Sequence, residues 1–168
     1  MDSLKINGTD YKIKFDHRFY ERVLSNFAKK HKDANVDGFN HLIAGLIDED
    51  PDSVVEAYRC AISGKNLPTA NDVSNALDEE GVFDDKNLYS DVFNQIKSSG
   101  FLAKKVAHLL KLLHKDWKDS EIALQVFTNT GNKSDKDYKK NLQEARVEVA
   151  VRKRQWELAK DQLAQLSK

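Results

Sequence analysis

Apolar and polar positions change rhythm sharply after the first fifteen residues. Before that point they alternate: Leu4 and Ile6 flank Lys5, then Asn7-Gly8 intervenes, and Tyr11, Ile13 and Phe15 alternate with Lys12 and Lys14. Period-two alternation on both sides of an Asn-Gly pair predicts a β-hairpin with one apolar and one lysine-rich face. A lone hairpin is marginal in water, so its apolar face must pack on helices or on another copy of the chain. Its edges can also pair with a neighbour, which makes Ile6, Tyr11 and Ile13 the candidate self-association residues.

From residue 16 onward the spacing is helical. Phe19, Tyr20, Val23, Leu24 and Phe27 mark a helix over 16–31, and Val36, Phe39, Leu42, Ile43 and Leu46 mark one over 35–48. Asp50-Pro51 is a helix start, with the carboxylate at the cap and proline where its missing N–H costs nothing. That helix carries Val54, Val55, Tyr58 and Ile62 and meets a stop at Gly64. Thr69 with Asp72 predicts a capping box opening a short helix through Val73, Ala76 and Leu77. A further helix near 84–98 buries Leu88, Val92, Phe93 and Ile96, then breaks at Ser98-Ser99-Gly100.

Residues 101–117 differ in kind. Phe101, Leu102, Val106, Leu109, Leu110, Leu112 and Leu113 cover most of a helix circumference, so this helix is either central to a core or covered by a partner. A short segment at 120–128 precedes Asn129-Thr130-Gly131-Asn132, a loop or hinge. Ser134 with Asp137 then caps a final helix. In it Tyr138, Leu142, Ala145, Val149, Arg152, Trp156, Ala159, Leu163 and Leu166 follow a 4-3-4-3 spacing with one polar interruption, a heptad seam of about four repeats. Such a seam packs on another helix, from the same chain or from a partner.

Composition fits this outline. Gly and Pro together number nine, about 5% of 168 residues against a usual ~12%, which argues for long helices and against a turn-rich sandwich. The predicted fold is mainly α with a short N-terminal β-hairpin. It divides into a helical domain over 1–117 and a helical extension over 118–168 that ends in the long seam-bearing helix. No apolar run approaches a membrane span, the first residues lack a secretory pattern, and the single Cys60 permits no intramolecular disulfide. The expected setting is a reducing cytoplasm.

Charge is neutral overall, with 27 basic and 27 acidic side chains, but not locally. Residues 1–85 hold 10 basic and 17 acidic groups, and residues 86–168 hold 17 and 10. A chain with an acidic and a basic end can attract its own copies head to tail, closing a ring or growing a spiral. The alternative is that the charges merely solvate separate faces.

Candidate chemistry is sparse. The histidines at 17, 31, 41, 108 and 114 lack the i, i+4 pairing and accompanying glutamate of a zinc helix. The glycines never cluster into a phosphate-cradling loop. Cys60 reads as a small buried hydrophobe. Asp48-Glu49-Asp50 and Asp84-Asp85 suit helix starts and loops, and no calcium pattern is present. The reading is therefore not an enzyme, with no cofactor. The rival class is a basic-surfaced nucleic-acid-binding regulator of a phage or bacterium, carried by Lys104, Lys105, Lys111, Lys115 and Lys118 and by Arg152, Lys153 and Arg154. Against it stand the chain's neutrality and the absence of a recognised nucleic-acid motif.

The segment Leu4-Lys5-Ile6-Asn7-Gly8-Thr9-Asp10-Tyr11-Lys12-Ile13-Lys14-Phe15, followed by a helix beginning Asp16-His17-Arg18-Phe19, resembles the tail assembly chaperones of long-tailed (siphovirus-type) phages and prophages of Gram-positive bacteria. Phe39 to Leu46, Asp50-Pro51 and Leu67-Pro68-Thr69 are similar to later parts of that family, and the resemblance spans about residues 3–100. It implies a non-enzymatic protein of the host bacterial cytoplasm, absent from the mature virion, that oligomerises and coats the tape measure protein until tail tube subunits polymerise around it. The expected partners are therefore copies of itself, the tape measure protein and the tail tube protein, with neither membrane nor nucleic acid. On the residues themselves, the seam at Leu142, Val149, Trp156 and Leu163, with Leu109 and Leu113 of the leucine-rich helix, supplies candidate partner-binding positions for a helical client. Trp156, the bulkiest of them, is the expected anchor.

Overall fold

A computed structural model describes residues 2–30, 37–64 and 67–165. The hairpin is present as predicted: β1 (Ser3–Ile6) and β2 (Thr9–Lys12) pair antiparallel with Leu4 opposite Tyr11 and Ile6 opposite Thr9. Asn7 and Gly8 occupy the turn with φ of 49° and 81°, the doubly left-handed pair that a two-residue hairpin loop requires. Seven α-helices follow among the described residues: α1 (His17–Lys30), α2 (Gly38–Ile47), α3 (Pro51–Ala61), α4 (Ala70–Glu79), α5 (Leu88–Ser98), α6 (Gly100–Thr130) and α7 (Tyr138–Gln165). A 3-10 turn, Val82–Asp84, precedes α5. Val36, expected on the second helix, lies outside the described residues.

Local chemistry explains the helix starts. The Asp16 carboxylate accepts from the Phe19 N–H at 3.0 Å, and Asp37 accepts from Phe39 at 2.9 Å. Asp50 caps α3 by accepting from the Asp52 N–H and the Ser53 hydroxyl, with Pro51 in the first turn. The Thr69–Asp72 capping box is complete, each side chain accepting from the other residue's backbone N–H. Asp72 also accepts from the Asn7 amide at 3.2 Å, tying the hairpin turn to the start of α4. These bonds, that from the Thr69 hydroxyl foremost, hold its carboxyl below the ordinary aspartate range.

Three local expectations change. Helix α3 stops at Ala61, before Gly64, because Ile62 turns extended and bridges Ile13; Lys14 N–H donates to Ala61 and Ser63 N–H to Lys12. The leucine-rich helix and the segment at 120–128 are one continuous α6, since no Gly or Pro between 117 and 120 interrupts the backbone bonds. Ser134 does not cap the last helix: its N–H donates to Asn132, and Asp137 supplies the carbonyl that accepts from Asn141.

The chain divides into two compact units, Met1–Val106 and Ala107–Lys168, the division falling inside α6. Unit 1 encloses a continuous core. Leu4, Ile6, Phe19, Phe39, Ile43, Leu46, Val54, Ile62, Val73, Leu77, Phe93, Ile96 and Leu102 are all essentially inaccessible. Aromatic edges run through it from Tyr58 to Phe15, Phe19, Phe39, Tyr20 and Phe101, with centroids 5.0–6.4 Å apart. Close approach of α2 to α3 depends on Gly45, where a Cβ would collide with the Ser53 side chain. Unit 2 is an antiparallel pair made by the rest of α6 and by α7.

Candidate interaction surfaces

Two long helices bury one seam between them and leave their other faces to solvent, because an α-hairpin has no further layer. Unit 2 holds that seam at both ends with aromatic rings. Near the loop, Phe127 stacks on Tyr138 at 5.2 Å, and Gly131 leaves room for the Tyr138 ring where any Cβ would strike it. At the far end Trp117 stacks on Trp156 at 5.0 Å with His114 at 4.9 Å from Trp156. Lys118 sits 4.0 Å over the Trp117 ring. The Trp117 indole N–H is buried without an acceptor among the described residues, an unsatisfied donor beside the ring stack.

Among the seam positions named from the sequence, Tyr138 and Trp156 meet rings of α6. Leu142 and Val149 are half-buried, Ala159 is buried, and Trp156 lies in the aromatic stack. Arg152, the polar interruption, is half-buried and donates to Glu148 at 2.6 Å, an i, i+4 pair that keeps its charge compensated. The side chain of Leu163, like Leu166, lies outside what the structure describes. Leu109 is buried and Leu113 half-buried. In unit 1, Ile6 and Ile13 are buried and Tyr11 half-buried, so the hairpin's apolar face packs within its own unit.

The accessible apolar surface lies elsewhere. Of six large apolar side chains standing out in solvent among the described residues, five belong to unit 2: Ile122 (59% exposed), Val126 (54%), Val147 (51%), Val151 (49%) and Leu158 (41%). Beside the seam, two adjoining cavities that share Glu148 and Arg152 form a groove between α6 and α7. Leu113, Ala123, Leu124, Phe127, Ala145 and Val151 give it apolar lining, and Asp116, Asp119, Glu148 and Arg152 give it charge. Its parts measure about 450 and 370 Å³, enough for a row of side chains from a docked helix. Sequence reasoning passed over Val147, Val151 and Leu158 because the stronger seam drew the assignment. Their signal is a second stripe, Val147, Val151, Arg154 and Leu158, spaced 4-3-4 on the same helix.

Unit 1 contains a smaller cavity of about 130 Å³ lined by Val23, Phe27, Leu42, Ser53 and Glu56 among others, below the ~300 Å³ at which small-molecule sites begin. Cys60 is buried, donates to Glu56 at 3.5 Å and receives the Asn26 amide at 3.3 Å. Burial, with Glu56 nearby, pushes its thiol up to about 12, so it stays protonated and non-nucleophilic near neutral pH.

A family model described as phage tail assembly chaperone protein matches residues 3–111, all of unit 1 but its first two residues and the first turn of unit 2. No curated protein and no solved structure matches the chain.

Proposed function

The chain belongs to the phage tail assembly chaperone family, and from that premise we propose that it oligomerises, coats the tape measure protein and helps recruit tail tube subunits around it. It would act in the cytoplasm of the bacterial host during assembly and leave before the virion is complete. The observation that carries the client-binding part is the half-open construction of unit 2, with its groove beside the seam and Ile122 and Val126 bare on α6.

A tape measure offers long amphipathic helices. Helix-in-groove docking buries the apolar face of such a helix against Leu113, Leu124 and Phe127 while the acidic and basic rim stays wet. A chaperone must also release its client. A groove with a mixed rim and few apolar side chains gives weak individual contacts, and many copies along one client sum them by multivalency. The family match supports the general role, and the unsatisfied apolar surface of unit 2 supports a helical partner.

The test is co-expression of a tape measure fragment with wild type and with a variant carrying Ala123→Glu and Val126→Gln. Both positions are exposed on α6, so the fold is expected to survive while client recovery falls at least about tenfold. Equal recovery from a folded variant would remove the groove as the client site. Trp156→Ala is a poor substitute, because it dismantles the hairpin core along with any docking surface.

A further inference from the structure

Unit 1 carries a groove whose chemistry is the converse of α7. About 530 Å³ in size, it runs between the α2–α3 turn, α4 and the start of α5. Val55, Phe83, Leu88 and Tyr89 form its apolar floor, and Glu49, Asp52, Asp78 and Asp85 stand around it against a single Lys86. The Tyr89 hydroxyl donates to the Glu49 carbonyl at 2.7 Å, which pins the floor to the α2–α3 turn. An apolar strip with an acidic rim selects a helix face that carries apolar side chains flanked by cations.

The chain itself supplies an apolar stripe with a cation set within it. On α7, Val147, Val151 and Leu158 share one exposed stripe with Arg154, and the helix carries seven basic against four acidic side chains. By sequence, unit 1 has eighteen acidic and fourteen basic groups and unit 2 nine and thirteen, so the two differ in sign by equal amounts. We propose that the outer face of α7 from one copy docks in the acidic groove of unit 1 of the next copy, with Arg154 meeting Asp78 and Asp85. This contact joins two different surfaces, so each copy keeps one free groove and one free helix face, and assembly continues or closes into a ring. The inference rests on the reading that the protein oligomerises and names the surfaces that do so. It uses the outer face of α7, which meets the client groove at Val151, whereas the client is proposed to lie against Leu113, Leu124 and Phe127 of α6.

Sedimentation velocity over a concentration series at low salt tests it. Wild type should form species larger than dimers, weakened by added salt as exposed charge pairs are screened within about 10 Å at 0.1 M. Arg154→Glu and Asp78→Lys, both at exposed positions, should each weaken association at least about tenfold while circular dichroism stays unchanged. Mixing these two variants restores both contacts, each between unlike chains, so assembly should resume with the two variants alternating. A chain carrying both reversals should assemble again. If wild type associates and both variants match it, the interface lies elsewhere; the proposal fails and the oligomeric reading stands. If wild type stays monomeric throughout, both fail. If Asp78→Lys leaves self-association intact but abolishes tape measure recovery, the groove holds the client and the proposal is overturned.

Discussion

The two units solve the burial problem differently. Unit 1 wraps five helices, the start of a sixth and a hairpin around one core, in which Phe19, Phe39 and Phe93 have almost no contact with solvent. Unit 2 has one helix pair, one seam and two aromatic clamps, and it leaves five large apolar side chains in water. The difference teaches where each kind of information sits. A closed core specifies a shape and needs no partner, whereas a two-helix layer is complete only when something lies against it. The family match covers the closed unit and scarcely enters the open one.

The largest expected effect lies in the closed unit. Phe93→Ala, at a position with no solvent contact, should cost about 3–5 kcal/mol, read as a drop in the denaturant midpoint. An unchanged midpoint would mean that the core is not the single packed body described. Next, Trp156→Ala should cost about 2 kcal/mol of local stability. Hydrogen exchange should quicken across 107–165 and stay as in wild type through α1 to α5; equal quickening in both would erase the distinction between the units.

Cys60 probes the closed unit by pH. Its thiol is raised to about 12 in the fold against about 8.5 in the unfolded chain, so the protonated thiol's contribution is complete below the lower value and lost as pH rises toward the higher. Stability should fall through that alkaline window, and Cys60→Ala should flatten the fall. Native Cys60 should also resist alkylation at pH 8 and react once unfolded. The smallest effect is at the capping box, where Thr69→Ala should cost about 1 kcal/mol in thermal unfolding. Asp72 has the opposite linkage. Its depressed carboxyl stabilises above the ordinary aspartate range, and that contribution is lost as pH falls below it, so Thr69→Ala should also weaken the acid dependence.

Much of unit 1 was legible in its residues, for local reasons. Asn7-Gly8 demands left-handed φ at two successive positions, and that demand sets the hairpin register. Asp50-Pro51 and Thr69 with Asp72 place helix starts by hydrogen bonds within four residues. Where a longer-range contact intervened, reading failed: α3 ended early because Ile62 found Ile13, nearly fifty residues away in the chain. The candidate surfaces were less legible than the elements. The heptad of α7 was plain, and the tertiary structure seats it against α6, with Trp156 on Trp117.

By itself, then, the order of amino acids determined the hairpin, the helix starts, the mainly helical class and the opposed charge of the two ends, because each depends on neighbours within a turn or on simple counting. Which of the two stripes on α7 faces inward, and which acids gather around the groove of unit 1, was decided only in three dimensions. Periodicity states that a face is apolar; only packing decides what covers it.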